Sequence, residues 1–285
     1  MAKVDRVHSS DTQVFVDTVR IPMINSLSFS SSKNIVDLPA LGVSHVQDRI
    51  LGRNQSTSID LGAIICTGAS GIDPLYKFQQ RNFGFLNTGK YDFQIKDLAG
   101  VTTISEASLT SYSVKGSLGS LVQASTSYEG NGATHTPAGA LTISNQTEDE
   151  FGGVFAPNDI EITTTTNGSE SVNSNSMTIQ DFDISVSLTR NPVTRLGERE
   201  PEFRYPELPA QGNLSFSAVK NQVTGLNLSS LVCESGIIKI DLKDANGDSV
   251  MDFTTSGCCL ESVDESTSLD DNNMVSFTYY FPILL

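Results

Sequence analysis

Residues 179–218 read IQDFDISVSLTRNPVTRLGEREPEFRYPELPAQGNLSFSA, and residues 24–63 read INSLSFSSSKNIVDLPALGVSHVQDRILGRNQSTSIDLGA. A constant offset of 155 residues aligns the two without a gap. Ile24 falls on Ile179, Leu41-Gly42 on Leu196-Gly197, Arg49 on Arg204 and Ala63 on Ala218. Seven of the forty positions are identical, where composition alone gives about two or three. The patterns agree better than the letters. Ile24, Leu27 and Phe29 share their spacing with Ile179, Phe182 and Ile184, so both copies shift alternation phase at one point. Both end in an alternating run, Ile59, Leu61, Ala63 against Leu214, Phe216, Ala218. A shared phase slip predicts a shared β-bulge. The chain reads as a tandem duplication of one β-rich module.

The length of 285 residues allows one large or two ordinary domains. Formal charge is −15, unevenly spread: residues 1–150 carry 11 basic and 14 acidic side chains, residues 151–285 carry 7 and 19. Such a surface repels nucleic acid and anionic lipid. Charged residues are only 18%, and Ser and Thr stand where Lys and Glu commonly do. That composition suits sheet over helix, because β-branched Thr fits a pleated surface and Ser competes with helical hydrogen bonds.

The opening Met1-Ala2-Lys3-Val4-Asp5-Arg6 lacks the apolar core of a signal peptide. No apolar run is long enough for a transmembrane helix. Cys66, Cys233, Cys258 and Cys259 do not read as a disulfide framework, so reduced thiols in a cytosol are expected.

In chain order, residues 1–20 read as an extended arm, 21–130 as the first β module, 131–176 as a polar connecting segment and 177–285 as the second module. Asp37–Gly52 reads as a loop with one helical turn, and Asp73-Pro74 as a helix start. Tyr91, Phe93 and Ile95 alternate as a half-buried strand, and Val101–Val114 gives a strand or hairpin. Phe182, Ile184, Val186 and Leu188 alternate strictly, and a short helix is expected at Gly225–Cys233. Asn246-Gly247 is a type I′ hairpin signal. The closing strand Val275, Phe277, Tyr279, Phe281 mirrors Val122, Ala124, Thr126, Tyr128, and Leu260 mirrors Leu109. The expected fold class is all-β: two tandem β-sandwich or β-barrel modules, each with at most a short helix.

Candidate chemistry is thin. Gly84-Phe85-Leu86-Asn87-Thr88-Gly89-Lys90 has phosphate-loop spacing, but Tyr91 replaces the Ser or Thr that holds Mg²⁺ and a strand follows where a helix should. Asp244-x-Asn246-x-Asp248 echoes a calcium loop, yet Ser249 stands where glycine is required. His8, His45 and His135 form no metal-ligand spacing with each other or with the cysteines. There is no Gly-x-Ser-x-Gly elbow. Cys258 and Cys259, in a strand, are expected to point to opposite faces, one inward and one outward. Glu148-Asp149-Glu150 reads as a solvated charge run, and aromatics interleaved with basic residues are absent. The expectation is a non-enzyme with no catalytic, cofactor or metal residues.

The tandem modules, the strand Phe182–Leu188, Leu196-Gly197 followed by Arg204-Tyr-Pro-Glu-Leu-Pro209, and the closing aromatic strand together resemble tail tube proteins of long-tailed bacteriophages. Leu109–Val114 and Ala124–Glu129 of the first module add to the likeness. The resemblance implies a small β-sandwich whose strands join across subunits into a ring. It implies trimeric, pseudo-hexameric rings stacked into a hollow tube in the virion tail, made and assembled in the bacterial host cytoplasm. The implied partners are the chain itself, a tape measure, a tail tip or baseplate, a terminator, and a sheath where the tail contracts. Phage DNA would pass without specific binding, and no membrane is involved. The alternative is a tail-tip, decoration or host-binding β-sandwich, which would favour exposed loop aromatics.

Overall fold

Alternating apolar residues make strands because successive side chains point to opposite faces, and here nearly every such run does so. The computed structural model of the chain describes residues 12–16, 19–21, 23–32, 35–39, 46–51, 56–68, 90–137, 151–154, 160–166, 170–173, 179–196, 198, 200–219, 236–243, 247–266 and 273–283. Its first strands are β1 (Gln13–Val16), β2 (Val19–Arg20), β3 (Ile24–Ser32), β4 (Ile35–Pro39), β5 (Val46–Leu51), β6 (Ser56–Ile64), β7 (Cys66–Gly68), β8 (Tyr91–Lys96), β9 (Gly100–Ser117), β10 (Gln123–Gly130) and β11 (Ala133–Pro137). There follow β12 (Phe151–Val154), β13 (Ile160–Thr166), β14 (Glu170–Asn173), β15 (Ile179–Ser187), β16 (Arg190–Val193), β17 (Phe203–Pro206), β18 (Gln211–Val219), β19 (Gly236–Lys243), β20 (Ser249–Ser266) and β21 (Met274–Pro282). The described residues contain no helix, and the fold is an all-β, antiparallel, sandwich-type one. The helix starts at Asp73 and Gly225 lie outside the described residues.

The central feature is a run of eight strands in the order β3-β6-β10-β9-β15-β18-β21-β20. The first four come from one copy of the repeat and the last four from the other. Their registers coincide. Ile24 pairs with Ala63, a bulge follows before Ser26, and Leu27 pairs with Leu61. Adding 155 to each number reproduces the second hairpin: Ile179 with Ala218, a bulge before Asp181, Phe182 with Phe216. The bulge read from the phase slip is present in both copies.

The eighteen-residue strands β9 and β20 correspond at an offset of 151. Each serves two layers. The first half of β9 pairs with β8, and its second half pairs with β10. The first half of β20 pairs with β19, and its second half with β21. The change of layer falls at Glu106 and Gly257, both in the left-handed region, with φ of 53° and 69°. The folded-over layers cover one face of the eight strands and close the core: Phe93 of β8 lies 4.7 Å from Tyr128 of β10, ring centre to ring centre, and Phe253 of β20 lies 6.4 Å from Tyr112 of β9. One cluster of buried apolar side chains runs through both modules.

Several expectations are corrected. Asp37–Gly52 forms no helical turn in its described residues, where β4 and β5 make a hairpin. Within the extended arm read over residues 1–20, Gln13–Val16 is a strand that pairs with β8, and Val14, Phe15 and Val16 are buried. Within the polar connecting segment β11 pairs with β9, β13 with β19, and β13 with β14. Of the two readings of Val101–Val114, strand or hairpin, the strand is the one present. The closing strand corresponds two residues away from its expected place: Tyr128 pairs with Ile59 and Tyr279 with Leu214, so Tyr279 mirrors Tyr128 and Phe277 mirrors Thr126. Leu260 does mirror Leu109.

Candidate assembly surface

Where the two copies meet, β15 pairs with the second half of β9, Phe182 opposite Gly116, Ile184 opposite Val114 and Ser187 opposite Ser111. The ladder is bracketed by Leu188 N–H to Thr110 O at 2.7 Å and Leu118 N–H to Gln180 O at 2.8 Å. Gly116 is required here because a Cβ would run into the Phe182 ring, which rests on the bare backbone. Lys115 Nζ and Asp183 Oδ2 meet across the junction at 2.8 Å.

The β16–β17 hairpin, which follows β15, clamps this junction. Arg190 and Arg204 are 7% and 6% exposed. Arg190 Nε donates to Leu109 O, and its Nη1 to Arg204 O at 3.0 Å. Arg204 donates to Asn131 Oδ1 at 2.8 Å and Gly130 O at 3.1 Å, with Glu129 Oε1 at 3.7 Å. Burial pulls both guanidinium groups below the ordinary arginine value, but arginine stays charged at neutral pH. Lys90 Nζ sits 3.0 Å from Glu106 Oε2 and 5.2 Å from the Phe203 ring centre. Thus the last residue of the phosphate-loop spacing serves the clamp; the rest of that loop lies outside the described residues. None of the other clamp residues is legible as a site in the sequence, although Arg204 is one of the seven repeat identities.

The same hairpin exists in the first copy. Ile35 pairs with Leu51 and Asp37 with Arg49; adding 155 gives Arg190 with Pro206 and Pro192 with Arg204. What differs is what the two first-position strands meet. Among the described residues, β3 pairs only with β6, and the second half of β20 only with β21. The consequence appears in burial: Ile184 is 0% exposed while its counterpart Phe29 is 46% exposed.

The face of the eight strands opposite the core is lined with hydroxyls and carboxylates. One row across it is Ser28, Asp60, Ser127, Ser111; another is Lys115, Asp183, Ser215, Thr278. Asp60 accepts from Ser28 Oγ at 3.2 Å and Ser127 Oγ at 2.7 Å, and Ser217 Oγ donates to Asp181.

The remaining sequence candidates do not converge. His135 is exposed on β11, with Nδ1 3.2 Å from Thr102 Oγ1. His8, His45, Cys233, Asp244, Asn246 and Glu148-Asp149-Glu150 lie outside the described residues. Cys258 and Cys259 are both buried, not one in and one out, because the layer change at Gly257 interrupts the alternation. Cys258 Sγ is 2.8 Å from Thr255 Oγ1, and burial pushes its thiol up in pKa. Among the described residues no group of three His, Cys, Asp or Glu could hold a metal. No protein-family model matches the chain, and no curated protein sequence matches it.

Proposed function

We propose that this chain is the structural unit of a bacteriophage tail tube, assembling head to tail into rings that stack around a channel for DNA. The observation that carries the reading is the internal junction between β9 and β15: among the described residues their counterparts in the repeat, the second half of β20 and β3, form strand ladders with β21 and β6 and not with each other. A closed β-structure removes edges that would otherwise template aggregation, and heterologous contacts between copies close into a ring when the rotation permits. Two modules per chain make a trimer pseudo-sixfold. Three chains supply about 24 strands, which at a spacing of ~4.8 Å and a tilt of ~40° close on a circle about 48 Å across between backbones. That is about twice the width of a DNA duplex.

The hydroxyl and carboxylate face is the wall such a channel calls for. Lysines and arginines would neutralise phosphates, release counterions and hold the duplex, whereas the one lysine in the rows above is already matched by Asp183. The tape measure, terminator and tail tip would be partners of the assembled tube, in the virion.

A second reading has one observation in its favour. Phe203 and Tyr205 stack with ring centres 5.7 Å apart and are 38% and 49% exposed, as a host-binding or decoration module would display them. Electron microscopy of purified protein separates the two. Stacked rings with six modules around a hollow channel are expected; a monodisperse monomer across protein and salt concentrations would sink the tube.

A further inference from the structure

Glu106 Oε2 sits 3.0 Å from Lys90 Nζ and 3.0 Å from Asn131 Nδ2, so an amine and a carboxamide meet on one carboxylate oxygen. The amide is fixed at both ends. Asn131 is 4% exposed, its Oδ1 accepts from Arg204 Nη1 at 2.8 Å, and its Nδ2 also faces Pro201 O at 3.5 Å. Lys90 immediately precedes β8, Glu106 lies at the corner of β9 and Asn131 follows β10, so only the folded chain brings the three together.

The corner itself does not require this trio. β19 corresponds to β8 at an offset of 145, and β20 to β9 and β21 to β10 at 151. Those offsets carry Lys90, Glu106 and Asn131 to Ser235, Gly257 and Pro282. The second copy turns the same corner with none of the three, and Pro282 lies beside Gly257 there. The first copy instead keeps a non-glycine residue in the left-handed region, at φ 53°. Strain of that kind gathers at sites of chemistry.

We propose that Lys90 and Asn131 join in an isopeptide bond inside the folded chain, with Glu106 carrying the proton and Arg204 holding the oxyanion. The bond does not depend on whether the chain builds a tube. Glu106 takes a proton from the Lys90 ammonium, and the freed Nζ pair attacks Asn131 Cγ. The carbonyl pair moves onto Oδ1, where the Arg204 guanidinium meets the developing charge. Glu106 returns its proton to Nδ2, the carbonyl re-forms, and the Cγ–Nδ2 bond breaks with its electrons on nitrogen. The ammonia takes a second proton from Nζ and departs as ammonium, so Glu106 ends as it began and no other reactant is consumed. Burial of Asn131 keeps water from competing for Cγ. The Lys90 and Glu106 side chains, 31% and 44% exposed, leave ammonium an exit. Folding precedes the bond, so the folding equilibrium belongs to the free side chains.

The intact mass of purified full-length protein, denatured before measurement, reads the bond. Loss of ammonia should lower it by about 17 Da after incubation at neutral pH. A tryptic digest should then contain a branched peptide joining Lys90 to Asn131. Lys90→Arg keeps the charge beside Glu106 but cannot attack, and Glu106→Gln keeps the side-chain shape but cannot carry the proton. Each should hold the full mass, give only linear peptides and match the circular dichroism of the parent. A folded parent that keeps its full mass overturns the proposal. So does a deficit that survives Lys90→Arg, which would place the loss in succinimide closure at an Asn-Gly step such as Asn131-Gly132. A branched peptide formed equally by Glu106→Gln would overturn the role of Glu106. Should Glu106→Gln fail to fold, Lys90→Arg, altered at a surface side chain, still decides whether the bond exists.

Discussion

Glu106 and Gly257 hold the same left-handed backbone conformation, 151 residues apart, each where a long strand leaves one layer of the sandwich for the other. The corner needs one residue at positive φ, and the bulge beside it supplies the extra residue that bends the strand. In the second copy the residue is glycine. In the first it is a glutamate held by Lys90 and by Asn131 Nδ2 at 3.0 Å each, with its own N–H donating to Asp92 Oδ1 at 2.9 Å.

Gly257→Ala should destabilise the fold by about 1–2 kcal/mol, from the left-handed penalty on an L side chain. A Cβ there would also lie 3.3 Å from Pro282 Cγ. Glu106→Gly should stay within about 1 kcal/mol of the parent, since relief of backbone strain offsets a half-exposed ion pair. Denaturation midpoints measure both. A G257A variant as stable as the parent would mean the corner does not depend on that conformation.

The Phe182 ring on Gly116 gives a second expectation. Phe182→Ala and Phe277→Ala each remove a buried ring and should cost about 3–5 kcal/mol, against less than about 0.5 for His135→Ala on the surface. Gly116→Ala should cost about 1–3 kcal/mol by overpacking. In the F182A background that cost should largely vanish, because the space is then open. A double-mutant cycle with no coupling would contradict the contact.

Arg204→Ala should cost about 2–4 kcal/mol, because it leaves the Asn131 side chain and Gly130 carbonyl without their buried donor. Arg204→Lys should recover only part of this, since an ammonium cannot span both acceptors as a planar fork does. Urea unfolding distinguishes the three proteins; full recovery by lysine would mean that charge alone matters.

Burial raises the pKa of both Tyr279 and Cys258 above their ordinary values. A raised folded-state pKa favours the folded form while the group is neutral. Their contribution is therefore complete below the unfolded values and lost as pH climbs from about 9 through the raised folded values. Stability should fall between about pH 9 and 12, and the Tyr279→Phe variant should fall less steeply over that range. Parallel slopes for the two proteins would remove Tyr279 from the account.

Tubes should form without DNA and should not retain duplex at physiological salt. Reversing Asp60 and Asp181 to lysine should leave assembly intact and add a DNA affinity that weakens as salt rises. Filter binding across a salt series reads this directly. Tight, salt-sensitive binding by the parent tube would count against a permissive wall.

Much of this arrangement was legible in residue order. The Ile24/Ala63 and Ile179/Ala218 registers, with their bulge, follow from one phase slip repeated at a fixed offset. The closing strand was placed two residues off because alternation has period two. A slip of two keeps every apolar side chain on its proper face, so only cross-strand partners resolve it. The hairpin of β4 and β5 is not legible in the sequence, because the spacing of Leu38, Leu41, Val46 and Ile50 imitates a helix. Its counterpart β16–β17 hid behind Pro192 and Pro206, which are tolerated because a ribbon is all edge.

Sequence by itself determined the all-β class, the two copies and the residues that face the core, since period and repetition are local properties carried by each side chain's size and polarity. Only the tertiary structure decided that β9 is shared by both modules while the second half of its counterpart β20 pairs, among the described residues, with β21, and that Arg204 reaches across to Asn131. Which strand meets an open edge depends on where the chain's other modules come to rest in space, and no stretch of residues states that alone.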